Sequence, residues 1–278
     1  MPNYGYHLAR GQARVLEASY RAFLPRIVRR KVQVTSQIPL EVFSYSSERR
    51  VNEQVASIRS FLKHAGRPHR FTVVSDGSHS RHSADRLRAV DQCVAVEQVP
   101  APAPNLPAKF DRYLRDHPTG KQLALIMSLP RERPALYIDS DVLFFPGATK
   151  LNEYLSKGNA PAFYLQDCDF AGDERLLHNI AEKAQPVNTG VLLLLRRLDW
   201  SLSIDRFLEL SGEPTFFTNQ TMAHLTMHAN AALPFDPATC VLQLDDQFVY
   251  GDRYAGPDLV LRHYVDPVRH KFWTSLTR

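Results

Sequence analysis

Leu16, Tyr20, Phe23, Leu24 and Ile27 recur at helical spacing with arginines on the other face, so residues 13–31 are predicted to form an amphipathic helix despite Pro25. Packing on the main body is the expected use of its apolar stripe, with a membrane-surface helix as the alternative. Beyond residue 37 the pattern changes to short β-prone runs alternating with helical stretches. Residues 41–45 read as a strand, 53–64 as a helix with Val55, Ile58 and Leu62 on one face, and 71–74 as a strand ending at Ser75-Asp76-Gly77. Strand, helix and strand in so short a span suggest a parallel βαβ unit. A helix over 83–90, a strand over 93–99 and a loop over 100–107 broken by four prolines follow, so the first hundred residues look doubly wound.

Thr119 is the expected N-cap of a helix over 120–129, where Leu123, Ile126 and Met127 are apolar, and Pro134 precedes a buried strand over 135–138. That strand stops at Asp139-Ser140-Asp141. Residues 142–145, 163–165 and 187–195 are strand-like, 200–210 and 219–230 helical, and 260–273 closes the chain without helical periodicity. There is no internal repeat and no composition break after residue 37. A single domain over 37–278 is expected, preceded by a helical extension over 1–36.

The 278 residues are 44% apolar and 23% charged, an ordinary globular balance that excludes disordered, collagen-like and coiled-coil classes. The longest apolar run, Val191 to Leu195, is far short of the ~18 residues of a spanning helix, and the polar first residues lack a signal-peptide pattern. Cys93, Cys168 and Cys240 form no metal motif and read as reduced thiols. A cytoplasmic location is therefore expected. Net charge is 34 minus 29, or +5, yet seven cations against Glu17 put +6 in residues 1–36, leaving −1 for the rest. A basic helix of this kind admits peripheral contact with an anionic membrane through residues 13–31. The near-neutral body carries no nucleic-acid-binding signature.

The sharpest chemical feature is Asp139-Ser140-Asp141 at the end of a strand apolar on both faces. Two carboxylates there cost desolvation and mutual repulsion unless a cation offsets them. Oxygen ligands favour Mg²⁺ or Mn²⁺, held by one or two carboxylates together with substrate phosphates. Strand C-termini are also where open α/β sheets bind ligands. Asp139 and Asp141 lie two residues apart at one strand end, which suits a metal and not the opposed carboxylates of a glycoside hydrolase. Asp76, next to Gly77, reads first as a turn-forming residue, and Tyr45, closing the first strand, as a structural tyrosine. Asp167-Cys168-Asp169 competes for the metal and reads better as an acceptor-facing or solvated loop. His64, His69, His79 and His82 have no ligand spacing and read as loop surface.

The string Leu136-Tyr137-Ile138-Asp139-Ser140-Asp141-Val142-Leu143 resembles the nucleotide-sugar-binding strand of GT-A glycosyltransferases. Upstream, Gly120-Lys121-Gln122-Leu123 is similar to the Thr-Lys-Leu element of glycosyltransferase family 8, the glycogenin-like family. Downstream, Asn188-Thr189-Gly190-Val191 with Trp200 resembles that family's Asn-Ser-Gly-Val stretch and following Trp. The tail from His263 to Trp273 resembles its His-Phe-x-Gly-x-x-Lys-Pro-Trp, with Asp266 at the Gly, two extra residues before Lys271, and Phe272 at the Pro. The family's Asp-Gln pair has its counterpart in Asn219-Gln220 or in Asp246-Gln247.

The resemblance implies an α/β fold of GT-A (Rossmann-like) type, with a mixed, mostly parallel sheet flanked by helices. It implies metal binding by Asp139, Asp141 and His263, with Mn²⁺ or Mg²⁺ as cofactor. Donor binding would fall to Ser44, Tyr45, Ser46, Asp76, Lys121, Asp139, Ser140, Asn188 and Lys271, and catalytic roles to Asn188, Lys121 and Gln220. The implied reaction is metal-dependent transfer of a sugar from a nucleotide-diphosphate donor, a UDP-sugar, to a hydroxyl acceptor, with retention of configuration. The acceptor, whether glycan, lipid-linked or small molecule, would meet the loops over 168–186 and 216–256. The alternatives are a catalytically silent nucleotide-sugar-binding module and a sugar nucleotidyltransferase. The latter should carry a Gly-rich loop after the first strand, and Ser46-Ser47-Glu48-Arg49-Arg50 has no glycine.

Overall fold

The chain enters as one long helix, α1 (Tyr4–Arg29), started by the Asn3 side chain, which accepts from the Tyr6 N–H. The computed structural model describes residues 3–276 other than Lys157. The helix begins nine residues before its predicted start, because Ala9 and Ala13 are its buried positions there. Leu24 and Val28 join the main core, and the Tyr20 ring meets Trp273 at 5.1 Å. Among the described residues, no helix is long and apolar enough to cross a membrane.

Next come β1 (Gln37–Ser46), α2 (Val51–His64), β2 (Arg67–Ser75), α3 (Arg81–Arg88) and β3 (Val94–Gln98), with β1 parallel to β2 and β2 to β3. Pro39 lies where the β1 register shifts, the place a proline is tolerated in a sheet. Gly66 turns α2 into β2 with φ +107°, and an added Cβ there would meet Ser36 Oγ at 2.6 Å. The four-proline loop is as expected, but it is followed by a helix that the pattern did not reveal, α4 (Ala108–Asp116), burying Phe110, Tyr113 and Leu114. The next helix, α5 (Pro118–Met127), is capped by His117, whose ring accepts from Thr119 N–H, and not by Thr119. Gly120 is obligatory at this crossing, because a Cβ would overlap the Tyr113 carbonyl.

The central strand β4 (Ala135–Asp139) pairs parallel with β1 and antiparallel with the later β7 (Val187–Leu194). It is buried on both faces: Leu136 and Ile138 face one core, Ala135 and Tyr137 the other. Between these strands lie β5 (Val142–Phe144), the short α6 (Leu151–Ser156) and β6 (Ala162–Gln166). The chain ends with α7 (Ser201–Glu209), α8 (Thr218–Ala229), β8 (Leu233–Pro234), β9 (Cys240–Val241), β10 (Leu261–His263) and α9 (Lys271–Ser275). The main sheet has the order β3-β2-β1-β4-β7-β6-β8, and a second sheet the order β5-β10-β9. The fold is thus mixed and mostly parallel around β1, as expected. The second sheet is what brings the tail back: β10 runs antiparallel to β5 with His263 opposite Val142, directly after Asp141.

The four histidines read as loop surface are mostly not in loops. His64 ends α2, His69 is in β2 and His82 in α3, leaving His79 in the loop.

Candidate functional site

Asp139 is the last residue of β4 and Asp141 the last before β5, so the turn between the two sheets projects both carboxylates to one side. Asp139 Oδ1 accepts from Tyr137 Oη at 2.9 Å and Gln122 Nε2 at 3.1 Å. Gln122 Oε1 in turn accepts from Asn219 Nδ2 at 3.0 Å, tying α5 and α8 to the strand end. His263 Nε2 lies 3.1 Å from Asp141 Oδ1 and 3.7 Å from Asp139 Oδ2. The second Asp141 oxygen accepts from the Arg269 guanidinium, which also lies 3.6 Å from Glu53.

The His263 ring is oriented from behind. Its Nδ1 is 3.0 Å from Asn188 Oδ1, which also accepts from Gly190 N–H at 2.8 Å, while Asn188 Nδ2 donates to Asp167 Oδ2 at 2.9 Å. With both amide atoms of Asn188 fixed in this way, His263 Nδ1 must carry its proton toward Asn188, and Nε2 is turned to the carboxylates. Gly190 is required by closeness: a Cβ there would overlap the His263 ring.

Burial raises the Asp139 carboxyl above its usual range, the Asp141 charge adds to this, and His263 opposes it. Burial pushes Asp141 the same way, but His263 and Arg269 outweigh it and hold Asp141 down to about 2. Burial alone would lower the His263 imidazole; Asp141 and Asp139 prevail and raise it above its ordinary value. The sign of the resulting pH dependence follows. Asp141, depressed on folding, contributes stability above about pH 4 that is lost as pH falls toward 2. His263, raised on folding, contributes below about pH 6.5 and loses that contribution as pH rises through its raised value. In chelator-containing buffer, the thermal midpoint difference between wild type and His263→Gln is therefore expected to be largest below pH 6.5 and to shrink above it. A difference that grows with pH would contradict this pairing.

Asp139, Asp141 and His263 offer ligand atoms all within 4.8 Å of one another. Two carboxylates and an imidazole whose other nitrogen is already committed form a donor set that fits a divalent cation. Beside them is a cavity of about 190 Å³ lined by Tyr45, Ser46, Arg50, Asp76, Ser140 and Arg269. Tyr45 and Ser46 are in its wall, and Tyr45 Oη and Ser46 Oγ are buried without a hydrogen-bond partner.

The expected residues divide by placement. Tyr45, Ser46, Asp76, Ser140, Asp139 and Asp141 line this cavity, and Asn188 stands behind His263. Asp76 Oδ1 is also held in its turn by Ser78 N–H at 2.8 Å. Gln220 Nε2 donates to Asp167 Oδ2 at 3.3 Å and to Ala171 O at 2.8 Å. Asp167 is thus bound into the Asn188 relay and does not stand in a solvated loop. Ser44 lies beneath the surface, fully buried, donating to Gln54 Oε1 at 2.7 Å. Lys121 is half-buried in the first turn of α5. Lys271 Nζ donates to Val249 O at 2.8 Å and Gly251 O at 2.6 Å beside Asp246, so its ammonium is spent on the 249–251 backbone. Asp246, the other candidate for the Asp-Gln pair, is held by Arg262.

Gln122, Arg269 and the Arg50–Glu53 pair are what the sequence reading missed, while Asp167, read there as a rival metal residue or a loop residue, braces Asn188. Arg269 had a signal: counting from His263 without a gap, the seventh position of the compared tail motif, its Lys, falls on Arg269.

Searches with the sequence find no matching family model and no matching curated protein. Solved structures do match. The galactosyltransferase LgtC, crystallised with donor and acceptor sugar analogues, superposes with a TM-score of 0.56 at 14% identity, covering 85% of this chain and 94% of its own. Mouse xyloside xylosyltransferase 1 gives 0.55 at 11% identity, covering 84% and 99%. The fold is that of GT-A glycosyltransferases. GlyE of Streptococcus pneumoniae TIGR4 gives 0.53 at 15% identity over 87% of this chain and 61% of its own.

Proposed function

We propose that this protein is a glycosyltransferase that moves a sugar from a nucleotide-diphosphate donor, a UDP-sugar, onto a hydroxyl acceptor, with retention of configuration. The observation that carries the reading is the Asp139–Asp141–His263 cluster at the end of β4 in a GT-A fold. Asp139, Asp141 and His263 would hold a divalent metal, Mn²⁺ being the better match to a mixed nitrogen and oxygen set. Such an ion, when bound, supplies positive charge to the diphosphate that leaves as the glycosidic bond breaks.

The remaining roles belong to the chain. Arg269 carries the cation nearest the carboxylates, and its planar fork suits two phosphate oxygens. Tyr45 and Ser46, in the cavity wall, would face the nucleoside. Asn188 holds the proton of His263 on Nδ1, keeping Nε2 directed at the site. Gln122 and Tyr137 orient Asp139, and Gln220 with Asp167 braces Asn188 from the other side. Retention rests on the family resemblance alone. Because ligation requires neutral His263, metal binding should release a proton.

The test is thermal unfolding with UDP and Mn²⁺ together and with each alone. A ligand at ~100 times its dissociation constant adds ~2.7 kcal/mol, a visible shift of the midpoint. Stabilisation by UDP that needs the metal, with slow hydrolysis of a UDP-sugar, supports the proposal; no response to UDP, GDP, CDP or dTDP with metal overturns it. Within this reading, Gly190→Ala is expected to displace the His263 ring and weaken metal affinity by ~10–100-fold, the range for lost support behind a ligand. Titration of Mn²⁺ by calorimetry reads this directly, and an unchanged affinity removes His263 from the ligand set.

A further inference from the structure

A second cavity, of about 420 Å³, opens among α1, α2, β5 and α9. Its size is within the ~300–1,000 Å³ of small-molecule sites. Tyr20, Phe23, Ile27, Phe145, Trp273 and Leu276 make its wall largely apolar. It shares no lining residue with the strand-end site, and its charged edge at Arg59 and Lys63 is on the C-terminal half of α2, whereas Arg50 of that site precedes the helix.

Its charge is one-sided. Arg59 and Lys63 reach the cavity from α2, and no acidic residue lines it. Arg59 is pinned by donating to Ile27 O at 2.9 Å and Arg30 O at 2.7 Å, the carbonyls that end α1. Neither Arg59 nor Lys63 has a carboxylate partner among the described residues, and Glu17 on α1 is taken by Arg21. Partial burial, with Arg30 nearby, lowers the Arg59 pKa. Arg26, Arg29, Arg30 and Lys31, all exposed, extend the positive charge along the same end of α1. Aromatic and aliphatic walls ask for a hydrocarbon chain, and unpaired cations at their edge ask for an anion.

We propose that this cavity binds a single-chain amphiphile with an anionic head group, of the long-chain carboxylate class, its chain against Tyr20, Phe23 and Trp273 and its head group at Arg59 and Lys63. The site is independent of the donor site and does not rest on the transferase reading.

Calorimetric titration with dodecanoate below its micelle concentration tests it, alongside dodecyltrimethylammonium, dodecyl maltoside and acetate. One dodecanoate per chain is expected, with at least tenfold weaker binding of the other three. Lys63→Glu reverses an exposed charge, and Ser19→Trp adds bulk at an exposed lining position. Each should weaken dodecanoate at least tenfold without changing the ligand-free thermal midpoint, whereas Asp141→Asn should bind it as wild type does. Lys63→Glu alone suffices should Ser19→Trp fold poorly. Absence of dodecanoate binding, equal binding of the three dodecyl compounds, or binding indifferent to Lys63→Glu overturns the proposal.

Discussion

Asp141→Asn is expected to lower turnover of a UDP-sugar by at least ~100-fold, the cost of removing one preorganised electrostatic element from a transition state. The residue has three simultaneous jobs. It supplies a ligand atom of the cluster, accepts from Arg269, and faces His263 Nε2 at 3.1 Å. Asparagine can still accept from Arg269 through its one oxygen and turn an N–H toward His263 Nε2, but it carries no negative charge to ligate a cation or to hold Arg269 and His263 electrostatically. Arg269 then loses a tether and His263 loses the larger of the carboxylate charges that raise it. The variant should fold, because Asp141 is at a sheet junction whose backbone carbonyl still accepts from Tyr264 N–H at 3.0 Å. Metal-dependent stabilisation by UDP should vanish with the activity. Turnover within threefold of wild type, in a variant of normal thermal midpoint, would sink the assignment of the metal site.

The largest stability effect is expected at Arg262, one residue before His263. It is fully buried, donates to both oxygens of Asp246 at 3.0 and 2.8 Å and to Gln243 O at 3.0 Å, and pairs with Asp252. Its guanidinium lies 5.0 Å from the ring centres of Tyr254 and Tyr264. Asp252 also accepts from Tyr264 Oη at 2.8 Å and Ser275 Oγ at 2.6 Å, so the network links β10, α9 and the 243–254 segment. Arg262→Ala leaves two buried carboxylates without their shared cation, which costs about 3–5 kcal/mol. In a chain of this size that is a fall in thermal midpoint on the order of 10 °C. Adding Asp246→Asn and Asp252→Asn to Arg262→Met should recover much of the loss, since the unpaired charges go as well. Urea unfolding decides it: a cost under 1 kcal/mol for Arg262→Ala means the network does not hold this region.

The central strands were legible because β4, apolar on both faces and ending in two aspartates, has only one comfortable place in an α/β sheet. The helix α4 was hidden because its three buried positions follow directly on four prolines that read as punctuation. The second sheet has strands of two or three residues, β5 pairing with β10 across more than a hundred positions, and local periodicity carries no trace of that. His263 reaches Asp141 through this sheet, so only the family resemblance pointed to it. Lys271 illustrates the opposite failure. A lysine in a familiar tail drew the eye, while geometry puts the cation at Arg269, where the unbroken spacing from His263 leads. Gln122, next to Lys121, is silent in the sequence, since a neutral amide gains its meaning only from the Asp139 oxygen it meets.

The clasp between the two ends of the chain bears on how the protein is made. Tyr6 packs on His270 and Phe248, Gln12 accepts from Tyr250 Oη, and Tyr20 rests on Trp273, so α1 finds its partners in segments synthesised some 240 residues later. At ribosomal speeds of ~5–20 residues per second, that is a wait of roughly ten to fifty seconds. Leu24, Ile27 and Val28 can pack on the core beside α2 well before that, but the surface of α1 around Tyr6, Gln12 and Tyr20 waits for its late partners, a natural client for a holding chaperone. A product cut short before residue 248 would leave Tyr6, Gln12 and Tyr20 without these partners for good, and quality control should recognise it by that face of α1.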